Sequence, residues 1–159
     1  LWPSVDGYKE HCEYSRTNFN WDNFEKNLKK VKKYVKTVSC TISIYSILTT
    51  VELIAYFKSI GISTYLSVLE NPLYLDYRLL PSSAKNVVIK KFSLLKKKFS
   101  FNESELINID KTLSFFQNDV EDKNHLLTEF KKYNQRVDKL NNTSFIDIYP
   151  ELEQWYATI

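Results

Sequence analysis

TVSCTISI, residues Thr37 to Ile44, decides how the chain is read. Polar and apolar side chains alternate strictly along it. A period of two predicts a strand, with Thr37, Ser39, Thr41 and Ser43 on one side and Val38, Cys40, Ile42 and Ile44 on the other. Buried parallel strands are usually apolar on both sides. The row of hydroxyls is therefore the feature that needs an explanation.

The flanks supply the context. On the N-terminal side, Asn20 is suited to cap a helix that carries Trp21, Phe24, Leu28, Val31 and Val35 on one face. Further back, Ser4-Val5-Asp6-Gly7 reads as the end of a strand turning into a loop. Pro3 removes a ladder donor there, which is tolerated near a strand end. On the C-terminal side, Thr49-Thr50-Val51-Glu52 predicts a capping box, with Thr49 as N-cap and Glu52 reaching back. Gly61 supplies a left-handed C-cap. Ser63 to Leu69 predicts a third strand, with Ser63, Tyr65 and Ser67 opposite Thr64, Leu66 and Val68.

Residues 1 to 70 thus read strand, helix, strand, helix, strand. Helical crossovers imply parallel strands with right-handed connections. Helices on one face and hydroxyls on the other suggest a polar lumen or cleft; a solvated face of an α+β fold is the alternative. After Pro72 the chain turns helical. Helices are predicted over 81–99, from Asn102 (a second capping box, with Glu105) to about Gln117, and from about Asp119 to Leu140. A short last helix follows Pro150, carrying Leu152, Trp155 and Tyr156. The division expected is 1–80 for the α/β part and 81–159 for a helical C-terminal region.

Composition narrows the class. With 159 residues, 43% of them hydrophobic and 26% charged, the chain can bury one core. Aromatics reach 15%, so rings should dominate that core. The net charge of +3 does not require a polyanionic partner. Lysines nevertheless cluster: Lys26, Lys29, Lys30, Lys32, Lys33 and Lys36 form one block, and Lys85, Lys90, Lys91, Lys96, Lys97 and Lys98 another. Alternating with apolar core positions, they read as solvated helix faces, with nucleic-acid contact as the minority reading. No apolar run approaches the ~20 residues of a membrane span, so no membrane partner is expected. Two cysteines, Cys12 and Cys40, make no disulfide framework, and a reducing cytoplasm is the default. No signal peptide is visible. Leu1 is not a translation start, so the chain reads as entered part-way.

Ligands of parallel α/β sheets bind at the C-terminal ends of strands. Those ends are Ser4 to Gly7, Ser43 to Ser46, and Leu69 to Asn71. Ser4 and Asp6 offer a donor and an acceptor suited to a sugar hydroxyl or an amine. Arg16 could hold a carboxylate or phosphate through two parallel hydrogen bonds. In the plainer reading, Asp6-Gly7 is an ordinary turn, Ser4 caps it and Arg16 is a surface charge. His11 and His125 have no partner at metal-ligand spacing and read as surface residues. Cys12 beside His11 lacks the further ligands of a tetrahedral site. No phosphate loop, nucleophile elbow or C-x-x-C is present.

Ser4-Val5-Asp6-Gly7, Tyr14-Ser15-Arg16 and the run Asn20 to Leu28 resemble the second half of a radical S-adenosylmethionine enzyme. Cys40 to Ser43, Tyr65 to Leu69, Asn71-Pro72, Tyr74 to Pro81 and the stretch from Tyr133 to Leu152 extend the likeness over most of the chain. The branch it resembles is that of the twitch-domain-containing radical SAM proteins. The resemblance implies the C-terminal half of a partial (β/α)6 barrel, with residues 1–80 supplying strands four to six, followed by the helical region. It implies that Ser4 contacts the ribose of S-adenosylmethionine, that Arg16 holds its carboxylate and that Asp6 shapes the strand end. Thr41, Ser43 and Leu69 would line the cofactor or substrate side, with the Leu69 backbone near adenine. A [4Fe-4S] cluster would serve the full-length parent, acting on a peptide or small-molecule substrate not identified by the sequence. The family's Cys-x-x-x-Cys-x-x-Cys motif and glycine-rich strand end have no counterpart here, so this stretch alone is expected to hold neither cofactor and to be inactive; both would belong to the full-length parent. The rivals are a non-catalytic helical interaction module and a nucleic-acid binder using the lysine faces.

Overall fold

A computed structural model describes residues 1–159. The alternating stretch forms the middle of a three-stranded parallel sheet. β1 is Ser4–Val5, β2 is Thr37–Ile42 and β3 is Ser63–Val68, in the order β1-β2-β3. Thr37 lies opposite Ser63, Ser39 opposite both Ser4 and Tyr65, and Thr41 opposite Ser67. Like therefore meets like across the ladder. Val5, Val38, Cys40 and Ile42 are fully buried on one side, while the hydroxyl side stays half-exposed and Tyr65 is 48% exposed. The fold is α/β, and its sheet is open.

Eight helices complete the chain: α1 (Glu10–Ser15), α2 (Trp21–Val31), α3 (Thr50–Ser59), α4 (Ser82–Lys98), α5 (Glu103–Phe116), α6 (Lys123–Asn141), α7 (Phe145–Ile148) and α8 (Glu153–Ala157). Their starts follow local chemistry. Asn20 accepts from the Asn23 N–H at 2.9 Å. Asn102 and Glu105 form both arms of the predicted capping box, at 2.9 and 3.0 Å. Gly61 ends the α3 connection at φ +74°, a left-handed conformation that glycine adopts without steric cost.

Two local expectations are corrected. The capping box at Thr49 does not form. A 3-10 turn, Ile47–Thr49, precedes α3, and the Thr49 hydroxyl accepts instead from the Tyr8 N–H at 3.2 Å. Glu52 turns away to Lys91 at 2.8 Å. Strand β2 also stops at Ile42 rather than Ile44. The Ser46 hydroxyl donates to the Thr41 carbonyl at 2.6 Å and accepts from the Ser43 N–H at 2.9 Å, which folds the chain into a turn. The Ile44 N–H then bonds to the Leu75 carbonyl, outside the sheet.

The two edges of the sheet are treated differently. On the free side of β3, Asn108 of α5 takes the place of a neighbouring strand. Its Oδ1 accepts from the Leu66 N–H at 2.7 Å and its Nδ2 donates to the Leu66 carbonyl at 2.9 Å. Nothing pairs with the outer side of β1.

One core of buried side chains runs through both halves of the chain, from Val5 to Leu152. Aliphatic residues outnumber rings in it, but rings such as Tyr77, Tyr149 and Phe57 are its largest fully buried side chains. Phe145 stacks on Tyr149 at 4.6 Å, and Tyr14 meets Tyr45 edge-on at 5.4 Å. The hydroxyls of these tyrosines tie the helical region to the sheet region. Tyr14 donates to Asp138 at 2.7 Å, Tyr149 donates to the Tyr45 carbonyl at 3.0 Å, and Tyr45 donates to Asn134.

Candidate functional site

Because the strands are parallel, Asp6, Ser43 and Leu69 leave the sheet at the same end. Gly7 turns the chain there at φ +110°, and a side chain at that position would sit 3.4 Å from His11 Cβ. The single α1 segment then brings the chain back, so that Arg16, its C-cap, faces the strand it left. Arg16 Nε donates to Asp6 Oδ2 at 2.5 Å, and Nη2 donates to Ser4 Oγ at 3.2 Å. The Ser15 hydroxyl donates to the Asp6 carbonyl at 3.0 Å and pins the loop. The three residues selected from the sequence thus form one hydrogen-bonded group on the rim of the open face.

The electrostatics of the group are set by the pair. The hydrogen bond to Asp6 raises the Arg16 pKa against the opposing effect of partial burial, so the guanidinium stays charged. Side-chain exposures of 37% and 20% leave the pair open to solvent screening, so it contributes at most about 1 kcal/mol to stability. Nη1 of Arg16 bonds to nothing in the chain and remains a free donor. Asp6 Oδ1 is enclosed and accepts from nothing, an exception to the rule that buried polar atoms are satisfied.

The remaining predicted residues are spread around this rim. Thr41 lies half-buried on the hydroxyl side. Leu69 donates its N–H to the Ile42 carbonyl at 2.9 Å, while its own carbonyl takes no hydrogen bond within the chain. Ser43 is buried, and its hydroxyl accepts from the Tyr45 N–H at 3.3 Å, inside the turn rather than on the open face. A cleft of about 340 Å³ between β3 and α5 is lined by Tyr65, Ser67, Glu70, Asn108, Lys111 and Phe115. Sequence reasoning missed the α5 residues in it, because nothing local links α5 to β3.

His11 is a correction: it is 8% exposed, not a surface residue. Neither ring nitrogen has a hydrogen-bond partner. Its ring meets the Tyr149 ring edge-on at 4.6 Å, and Glu10 approaches Nδ1 only to 4.0 Å. Burial lowers its pKa, against the carboxylates of Glu10, Glu151 and Glu52. His125 is exposed, as expected.

The cofactor groups implied by the resemblance fit unequally. A free guanidinium nitrogen, a hydroxyl and an unpartnered carbonyl suit the polar groups of S-adenosylmethionine. An iron–sulfur cluster does not fit these residues. The chain's only two cysteines, Cys12 and Cys40, are both buried, one fewer than the three-cysteine motif requires. No three His, Cys, Asp or Glu side chains stand together as ligands. No helix is long and apolar enough to cross a membrane. Comparison with protein-family models, with curated proteins and with solved structures finds no match.

Proposed function

We propose that this chain is the S-adenosylmethionine-holding C-terminal part of a radical SAM barrel. The observation that carries the reading is the convergence of Ser4, Asp6 and Arg16 at the C-terminal end of a parallel strand. In this reading the Ser4 hydroxyl holds the ribose and Arg16 Nη1 takes the methionine carboxylate. Asp6 fixes the guanidinium in place, because its Oδ2 already occupies Nε. The unpartnered Leu69 carbonyl accepts from the adenine amino group. Thr41 lines the half-exposed hydroxyl face, and Ser43 acts through the turn it holds.

When bound, S-adenosylmethionine would supply hydrogen-abstracting radical chemistry toward a peptide or small-molecule substrate, driven by one electron from the cluster. The [4Fe-4S] cluster of such an enzyme would be held by residues outside this chain. The unpaired side of β1 supports the reading, since a fourth strand of a barrel has a neighbour on each side.

The test is the coding DNA upstream of Leu1. The reading expects an in-frame extension of about three βα units, roughly 30 residues each, carrying Cys-x-x-x-Cys-x-x-Cys. A stop codon or a start signal directly before Leu1 would overturn it.

A further inference from the structure

The two lysine blocks look alike in the sequence and differ in the fold. The second block is partly absorbed by packing, although Lys90, Lys97 and Lys98 stay exposed without an ion pair. Lys91 pairs with Glu52 at 2.8 Å and donates to the Leu48 carbonyl. Lys96 pairs with Asp110. Lys85 lies over the Phe116 ring at 5.5 Å, and Lys98 over Phe99 at 5.6 Å.

The first block is left free. Lys26, Lys29, Lys30, Lys32, Lys33 and Lys36 are all exposed, and only Lys29 forms an ion pair, with Glu25 at 2.9 Å. No acidic residue occurs from Lys26 to Lys36. The segment runs from the second turn of α2 through a 3-10 turn, Lys32–Tyr34, to the start of β2. It therefore ends at the N-terminal end of β2, where the Leu1 amino group donates to the Tyr34 carbonyl at 2.9 Å. Tyr34 is 60% exposed within it, with Lys33 Nζ 4.8 Å from its ring centre.

We infer that this segment is a docking surface for the phosphodiester backbone of a nucleic acid. Lys26 and Lys30 lie one helical turn apart, and Lys33 continues the row, so the charges are spread over about 10 Å of helix. That span suits successive phosphates of an extended strand. Tyr34 offers a ring on which a base can stack, the usual complement to such a row. An anionic membrane fits less well. Trp21 and Leu28 are buried and Phe24 and Val31 are packed on the core, so α2 has no apolar face left to enter a bilayer. The inference does not depend on S-adenosylmethionine binding.

The experiment is fluorescence anisotropy of a labelled single-stranded 12-mer RNA with the whole chain, at 50 and 200 mM salt. If the five unpaired lysines each neutralise one phosphate, affinity should fall about a hundredfold between the two salts. The triple variant Lys26→Gln, Lys30→Gln, Lys33→Gln keeps the side-chain stems and should bind at least tenfold more weakly at 50 mM salt, with a slope shallower by about two. The triple variant Lys90→Gln, Lys97→Gln, Lys98→Gln removes the same charge from α4 and should stay within about threefold. Circular dichroism of both variants should match the parent chain. Equal losses in the two triples would mean that net charge alone attracts the RNA, and would overturn the inference. Absence of binding at 50 mM salt would also overturn it, as would binding to phosphatidylserine vesicles without binding to RNA.

Discussion

The two edges of the sheet carry the main lesson of this structure. At β3 the ladder is finished, because Asn108 supplies one donor and one acceptor to Leu66 as a neighbouring strand would. At β1 the strand is two residues long and has no neighbour on its outer side. The finished edge is held from α5, in the helical region. The unfinished edge carries Ser4, Asp6 and Arg16. Exposed edges invite pairing with another strand, and the chain closes only one of them.

The largest expected effect tests the finished edge. Asn108→Leu leaves the Leu66 N–H and carbonyl unpaired beside a side chain that is 3% exposed. Unmet buried groups cost about 1–3 kcal/mol each, so urea unfolding should show a loss of about 3 kcal/mol. A loss below about 1 kcal/mol would show that water finishes this edge as well as Asn108 does. A smaller effect lies one step back, at the cap that starts α5. Asn102→Ala should cost about 1 kcal/mol by the same measurement.

The open edge should respond less. Arg16→Ala should change unfolding stability by less than about 1 kcal/mol, because the pair with Asp6 is partly exposed. A loss of several kcal/mol would make Arg16 a structural anchor of β1 instead.

The subtlest effect comes from His11 of α1, buried edge-on against the Tyr149 ring. Its folded pKa is lowered by burial below the ordinary 6.5. The unfolded chain therefore binds the proton more readily. Stability should be complete above pH 6.5 and fall as the pH drops from there toward the folded value. Thermal melts should show this decline above the range in which carboxylates titrate, and His11→Gln should flatten it. An unchanged slope in His11→Gln would place the acid sensitivity elsewhere.

The contrast between the edges also marks what was legible in the sequence. The alternation from Thr37 to Ile42 is a local signal, and both sides of the sheet follow from it. Asn20, Gly61 and the Asn102–Glu105 pair are likewise local and act as read. The failures are tertiary. Thr49 had the pattern of a cap, but the Tyr8 N–H claims its hydroxyl across the fold. α1 is six residues long, too short to leave a periodic trace, and it starts after Lys9 at φ +51°. His11 is buried because Tyr149, far along the chain, packs on it. Asn108 looked like any polar helix residue, since its partner lies 42 residues away. At the site, the spacing of Ser4, Asp6 and Arg16 was readable, whereas the inward turn of Ser43 depended on Ser46 closing the chain behind it.

The central claim is that the open edge of β1 holds S-adenosylmethionine through Arg16. The most direct measurement is a calorimetric titration of the full-length parent that the reading requires with S-adenosylmethionine, repeated with Arg16→Ala. The account predicts saturable binding that Arg16→Ala weakens by about tenfold to a hundredfold, the value of a charge-assisted hydrogen bond. Absence of saturable binding, or equal affinity in the two proteins, would contradict it.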